Sequence, residues 1–361
     1  MLWTALLVAV GGFCLILAGL IPAGLIPALR ICHKKKGKIP VPAGIQWTGY
    51  VTVGGIEQYL QIRGRNREAP VILVLHGGPG NPMAAYSYGW QAPLEERYTV
   101  VHWDQRGCGN TYYRAPQAQV PTLERLMDDL DELVNWLCRT FQQEKIVLLG
   151  HSWGTFLGGH YVLEHPERIK AWVAVGQMVD FRDSELCSTR EAIRLARVAG
   201  RARDADWMEG KLGWLRVLRR LDQAAASKLL RLRTHKERYL PAQYSNRMGI
   251  LRLGSPDMTW SDLRWICRFD RLIQMNLALY DALLTPGRSS MYDVSMRYEV
   301  PVLMLTGEND WTTPWRMARD YFQQISAPSR EFLTIEGAGH LPFLDRPEEF
   351  TALLLDRLER I

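Results

Sequence analysis

Gly150-His151-Ser152-Trp153-Gly154 fits GxSxG, and its flanks give the match a physical context. Residues 145–149, KIVLL, are apolar and β-prone, while residues 155–163 read as a helix whose glycines allow close packing on a sheet. A serine at a sharp strand-to-helix turn presents its hydroxyl at a sheet end, and small neighbours let the backbone bend there. Ser152 is therefore the candidate nucleophile. A serine hydroxyl is weak near neutral pH, so the chemistry also needs a histidine as general base and a carboxylate to orient that histidine.

Two late segments can supply the partners. Residues 302–306 read as a buried strand followed by Gly307-Glu308-Asn309-Asp310, and residues 332–335 as a second strand followed by Gly337-Ala338-Gly339-His340. Serine, then acid, then histidine is the chain order of α/β-hydrolases, with the last two after late strands. Asp310 is assigned as the orienting acid and His340 as the base, with Glu308 as the fallback acid. Local sequence alone reads Asp310 equally well as a cap for a helix beginning near Thr312; its place in the ordered trio selects the catalytic role. His76 and His102, at predicted strand ends, and His160 and His165, after the elbow, have no such place. No Cys/His cluster has zinc-like spacing, and neither a metal nor another cofactor is expected.

Acyl transfer also needs two backbone N–H groups aimed at the developing oxyanion. Trp153, the residue after the nucleophile, is expected to give one. Residues 71–75, VILVL, read as an earlier strand, and His76-Gly77-Gly78-Pro79-Gly80 follows it directly. Glycines there permit conformations that expose N–H groups. Gly78 is the expected second donor, with Gly77 close behind.

HGGPG at 76–80, DQRGCGNT at 104–111 and GHSWGT at 150–155 together resemble the proline iminopeptidase group of α/β-hydrolases, serine peptidases that remove an N-terminal proline or other residue. The resemblance covers roughly residues 44–180 and 299–361. It implies an α/β fold with a mostly parallel central sheet flanked by helices: a hydrolase core at 44–179 and 299–361, and a helical cap at 180–298 inserted after the sixth strand. The chain departs from the family pattern at His151, where glycine is usual, and at Thr111, where serine is usual. The family holds the substrate's free amino group with acidic cap residues, and a buried ammonium without a partner is costly. Glu185, Glu191, Glu209, Asp257, Asp262, Asp270 and Asp281 are the acids available, most of them expected on solvated helix faces, and residues 255–284 are expected to form a helix pair over the active site. Three readings follow: an aminopeptidase acting on small peptides, an esterase or amidase acting on a lipophilic substrate, and a catalytically silent binding module. The intact trio argues against the third.

The elements that must position these groups are legible around them. Residues 45–63 alternate as a β-hairpin around Gly54-Gly55, strands are expected at 71–75 and 98–104, and an amphipathic helix at 123–141. A chain of 361 residues with 47% apolar content can bury one sizeable core. Residues 2–29 carry no charge, more than the roughly 20 needed to cross a bilayer, so residues 1–38 are expected to be a transmembrane helix with a basic juxtamembrane segment. No basic residue or small-residue cleavage site marks a signal peptide, although Pro22 and Pro27 leave an interfacial anchor open. Arg30, Lys34, Lys35, Lys36 and Lys38 follow, which by the positive-inside rule places the catalytic domain on the cytoplasmic side and the cluster against anionic lipid headgroups. Removing those five residues reduces the net charge from +6 to +1, so the chain is not broadly basic and a nucleic-acid partner is not expected. Cysteines 14, 32, 108, 138, 187 and 267 form no CxxC pair, which suits reduced thiols.

Overall fold

The computed structural model describes residues 25–39, 42–118 and 120–361. Its strands are β1 (Ile45–Val53), β2 (Ile56–Gly64), β3 (Val71–Leu75), β4 (Thr99–Trp103), β5 (Ile146–His151), β6 (Ile169–Val175), β7 (Val302–Gly307) and β8 (Arg330–Ile335). They form one sheet in the order β1-β2-β4-β3-β5-β6-β7-β8. The hairpin closes at Gly54-Gly55 as expected, with Val53 opposite Ile56, and β2 runs antiparallel to β4. From β4 across to β8 every pairing is parallel.

Parallel strands with helices on both sides bury both faces, which is why VILVL is continuously apolar. Val71, Leu73 and Leu75 join the core that contains Leu126, Leu130 and Leu133 of the helix Leu123–Thr140. Ile72 and Val74, pointing the other way, join Trp90, Phe343 and Phe350. The helix Leu123–Thr140 starts where Thr122 accepts a hydrogen bond from the Arg125 amide (3.2 Å) and buries leucines three and four residues apart.

This sheet order has a direct consequence for chemistry. The carboxyl ends of β5, β6, β7 and β8 lie side by side along one edge, so the loops carrying Ser152, Gly176, Asp310 and His340 emerge next to one another. Between β6 and β7 the described residues form helices Phe181–Val198, Ala202–Val217, Gln223–Lys236, Arg247–Leu253, Trp260–Ile266 and Phe269–Ala282. The last two form a helix pair as anticipated but pack on the glycine loop, where the Trp265 indole donates to the Gly80 carbonyl (2.9 Å); none of their described residues lines the cavity with Ser152.

The amino-terminal expectations fall largely on residues that are not described, and only the basic cluster can be followed. Residues 1–24, which carry most of the anticipated span, lie outside the described residues. Among the described residues no helix is long and apolar enough to cross a membrane. The helix Leu25–Lys36 takes the end of the uncharged run straight into the basic cluster, and that cluster is not free to face only lipid. Arg30 donates to the Leu253 carbonyl (2.9 Å), His33 bonds the Gly254 carbonyl through Nδ1 (2.7 Å), and Arg63 donates to the Gly37 carbonyl (2.6 Å). Lys34, Lys35, Lys36 and Lys38 remain exposed.

Candidate active site

Ser152 sits between β5 and the helix Trp153–Glu164 at φ 53° and ψ −118°, in a region that L-residues avoid. Its surroundings impose that conformation. The Ser152 amide donates to the Val175 carbonyl (3.0 Å), and the Ser152 carbonyl accepts from the Thr155 amide (2.8 Å) and hydroxyl (2.6 Å). A side chain at Gly154 would collide with the Leu75 carbonyl, so the second glycine of the motif lets the helix seat against the end of β3. Trp153 is the first residue of that helix, where backbone N–H groups have no partner within the helix.

The two carboxylate oxygens of Asp310 do different work. Oδ1 accepts from the Thr312 and Thr313 amides (2.9 Å each) in the turn ahead of the helix Trp315–Gln324, whose N-cap is Pro314, so Asp310 braces this turn without capping the helix. Oδ2 accepts from the Thr313 hydroxyl (2.9 Å) and lies 2.9 Å from His340 Nδ1. Because a carboxylate only accepts, this bond assigns the imidazole proton to Nδ1 and leaves Nε2 as the ring's acceptor. Asp310 and His340 are both buried. Gly176 (φ 59°), at the end of β6, makes room for the pair: a Cβ there would lie 3.1 Å from Asp310 Oδ2 and 3.4 Å from His340 Nδ1. The fallback acid does not reach His340. Glu308 is exposed and accepts instead from the Gly337 amide (3.3 Å).

Several residues outside the assigned trio support it, and Gln243 among them has no motif to reveal it. Gln243, from the insert, takes the Trp311 amide (2.6 Å) and the Thr312 amide (3.1 Å) on its side-chain oxygen and donates to the Asn309 carbonyl (2.9 Å); its own carbonyl accepts from the His340 amide (2.9 Å). His151 Nε2 donates to the His340 carbonyl (2.9 Å), with the two rings 4.8 Å apart. Burial, followed by the neighbouring His340, lowers the His151 pKa to about 3, so this ring stays neutral beside His340. The DQRG run braces the elbow: the Trp153 indole donates to the Gln105 side chain (3.2 Å), and the Gln105 amide donates to His76 Nε2 (3.3 Å), a ring held neutral by burial with its pKa lowered to about 4. Arg106 pairs with the buried Asp129 (2.7 Å) and donates to the Gly54 carbonyl (2.8 Å), which fastens the hairpin.

Ser152, His340, Gly77 and Gly78 share one cavity of about 90 Å³, whose other wall is formed by Phe181, Ser184, Arg233, Tyr244 and Met248 of the insert. The acids offered for a substrate amino group are engaged elsewhere. Glu185 holds Arg233 and Lys236, Glu191 pairs with Arg194, and Glu209 with Arg197. Asp257 accepts from Gln61, Asp262 from Asn110 and the Thr259 amide, and Asp281 from the Leu221 amide. The side chain of Asp270 lies outside the described ones. A wider hollow of about 340 Å³ between Tyr112, Tyr113 and Arg264 shares no residue with the cavity at Ser152. Among the described residues no group of three His, Cys, Asp or Glu side chains could hold a metal ion.

Comparison with known proteins places this geometry in a family. A family model described as alpha/beta hydrolase fold matches residues 70–347. The chain is 28% identical over 320 residues to a probable aminopeptidase of Bacillus subtilis strain 168, covering 88% of this chain and 97% of that one. It is 26% identical over 316 residues to a proline iminopeptidase of Lactobacillus helveticus strain DPC 4571, covering 85% and 95%. Among solved structures, a proline iminopeptidase-related protein of Thermus thermophilus superimposes with a TM-score of 0.58 at 22% identity, covering 87% of this chain and 98% of that one. With the sheet order, the strand-to-helix serine and the family model in agreement over most of its length, the chain belongs to the alpha/beta hydrolase fold family.

Proposed function

We propose that this protein is a serine hydrolase working through an acyl-enzyme, and that its reaction is the removal of N-terminal residues from small peptides, as in proline iminopeptidases. The observation that carries the hydrolase reading is the His340 Nδ1–Asp310 Oδ2 bond (2.9 Å), beside a cavity that His340 shares with Ser152. His340 Nε2 takes the Ser152 proton as the serine oxygen attacks the scissile carbonyl carbon. Trp153 and Gly78 donate their amides to the oxyanion, and Asp310 stabilises the imidazolium. The same proton then goes to the departing amine as the C–N bond breaks, leaving Ser152 acylated. A water molecule activated by His340 releases the acyl group. Residues 180–298 act as a cap whose Phe181, Tyr244 and Met248 limit access.

Peptidase rather than esterase chemistry is drawn from the aminopeptidase and proline iminopeptidase relatives. Prolyl, alanyl and leucyl arylamides, each with a free and a blocked amine, assayed beside short and long acyl esters, test it. Faster turnover of the free-amine arylamides is the expected result; ester-only turnover would select the esterase reading, and no turnover by folded protein the silent module.

Residues 2–24 are themselves uncharged and exceed the roughly 20 residues that a bilayer requires. We read them as an anchor to membrane lipids that holds the hydrolase at the cytoplasmic face. The full-length chain should stay in the membrane pellet after alkaline carbonate extraction, and release into the supernatant would refute the anchor.

A further inference from the structure

The helix Gln223–Lys236 ends beside the cavity with two cations on one acid. Arg233 Nε donates to Glu185 Oε1 (2.7 Å), with Nη2 2.6 Å from the same oxygen. Lys236 Nζ donates to Glu185 Oε2 (2.6 Å) and to the Ser188 hydroxyl (2.8 Å). Burial alone would raise the Glu185 pKa, but the Arg233 and Lys236 charges outweigh it and hold the carboxyl at about 2. Glu185 is thus ionised and fully occupied. It has no capacity left for a substrate ammonium, and it is shared between two cations, each of which, among the described residues, has only that carboxylate as an ion-pair partner at contact distance.

Which of the two cations faces the cavity is set by exposure. The Lys236 and Glu185 side chains are each 6% exposed, whereas the Arg233 side chain keeps 32% of its surface open and lines the cavity with Ser152 and His340. Its guanidinium carbon lies 5.6 Å from the centre of the Phe181 ring, which helps fix its position. Glu237, next along the chain, is exposed and makes no ion pair with either cation, although both charges oppose the upward push of desolvation on its carboxyl. Arg233 shares its carboxylate with Lys236, and a second carboxylate arriving in the cavity would gain charge-assisted hydrogen bonds from the open part of the guanidinium. Arg233 lines the same cavity as Ser152, so a carboxylate received there belongs to the part of the substrate near the reacting carbonyl.

We propose that Arg233 is a specificity-determining residue that receives a carboxylate of the substrate, making short peptides with an anionic group next to the scissile bond the preferred class. This rests on the hydrolase reading of Ser152. The carboxylate could be the free C-terminus of a dipeptide or the side chain of an acidic first residue; the chemistry at Arg233 is the same.

The full-length protein and its Arg233→Gln and Arg233→Lys variants test this with two substrate pairs: Leu-Gly against its C-terminal amide, and glutamyl against glutaminyl arylamide. Arg233→Gln leaves Glu185 paired one-to-one with Lys236, which keeps the fold, and its melting temperature checks this. Wild type should favour the carboxylate member of one pair. Arg233→Gln should collapse that kcat/KM ratio by about 10-fold or more, mainly through KM, and Arg233→Lys should restore part of it. A response of the dipeptide pair assigns the C-terminus, and of the arylamide pair the side chain. Equal turnover within both pairs by wild type, or a ratio unchanged in Arg233→Gln, would overturn the assignment of Arg233 while leaving the hydrolase reading intact. Failure of a fluorophosphonate to label folded wild type would remove both.

Discussion

Replacing Ser152 with alanine is expected to lower kcat by about 10⁴- to 10⁶-fold, because the attacking oxygen disappears while the cavity and the oxyanion amides stay in place. The loss should fall on kcat, and the substitution should leave the melting temperature nearly unchanged, since the backbone bonds to Val175 and Thr155 do not involve the hydroxyl. Ser152→Gly should be just as inactive yet more stable. Holding an L-residue in such a conformation costs about 1–3 kcal/mol, and glycine returns up to about 1 kcal/mol of that through its freer unfolded chain. A net gain of about 1 kcal/mol in a urea unfolding titration is the expected result. No gain would mean that the φ of 53° carries no strain, and full activity in either variant would remove Ser152 from the chemistry.

The second large effect is expected at Asp310. In Asp310→Asn the Thr312 and Thr313 amides, which now donate to Oδ1, should hold the side-chain oxygen and turn the new NH₂ group toward His340 Nδ1. A donor facing Nδ1 forces that nitrogen to accept, so the ring proton moves to Nε2. There it points at Ser152 instead of taking its proton. A fall in kcat of about 10⁴-fold with the fold intact follows. Were the variant to keep more than about a tenth of wild-type kcat, tautomer control by Asp310 would not be part of the mechanism, and the exposed Glu308 would need to be tested in its place.

The parts of this site that could be read from sequence are those a short motif must encode. The elbow needs small residues within three positions of Ser152, the glycine loop follows an uninterrupted apolar strand, and the acid and base follow the last two strands. Asp310 illustrates why local reading left two answers: it at once braces the backbone amides of its turn and partners His340, one oxygen for each. The cavity wall was not legible, because it depends on how helices cross. Glu185 and Arg233 are 48 residues apart and meet only through packing of the insert, and Gln243 is tied to Asn309 across 66 residues with no pattern at either end. The same reason explains the acids. Asp262 sits in a segment that does cover the glycine loop, but its carboxylate turns into a capping box with Thr259 and onto Asn110. The basic cluster after residue 29 reads as a lipid contact until Arg30 and His33 are seen bonded to the carbonyls of Leu253 and Gly254.

On the proposed mechanism His340, oriented by Asp310, makes the Ser152 oxygen the one nucleophile of this chain. The most direct test is the intact mass and peptide map of the full-length protein after treatment with a fluorophosphonate. A single adduct on Ser152, lost in Ser152→Ala and formed far more slowly in His340→Ala, is the expected result. An adduct on a different residue, or unmodified Ser152 in folded wild type, would contradict this mechanism.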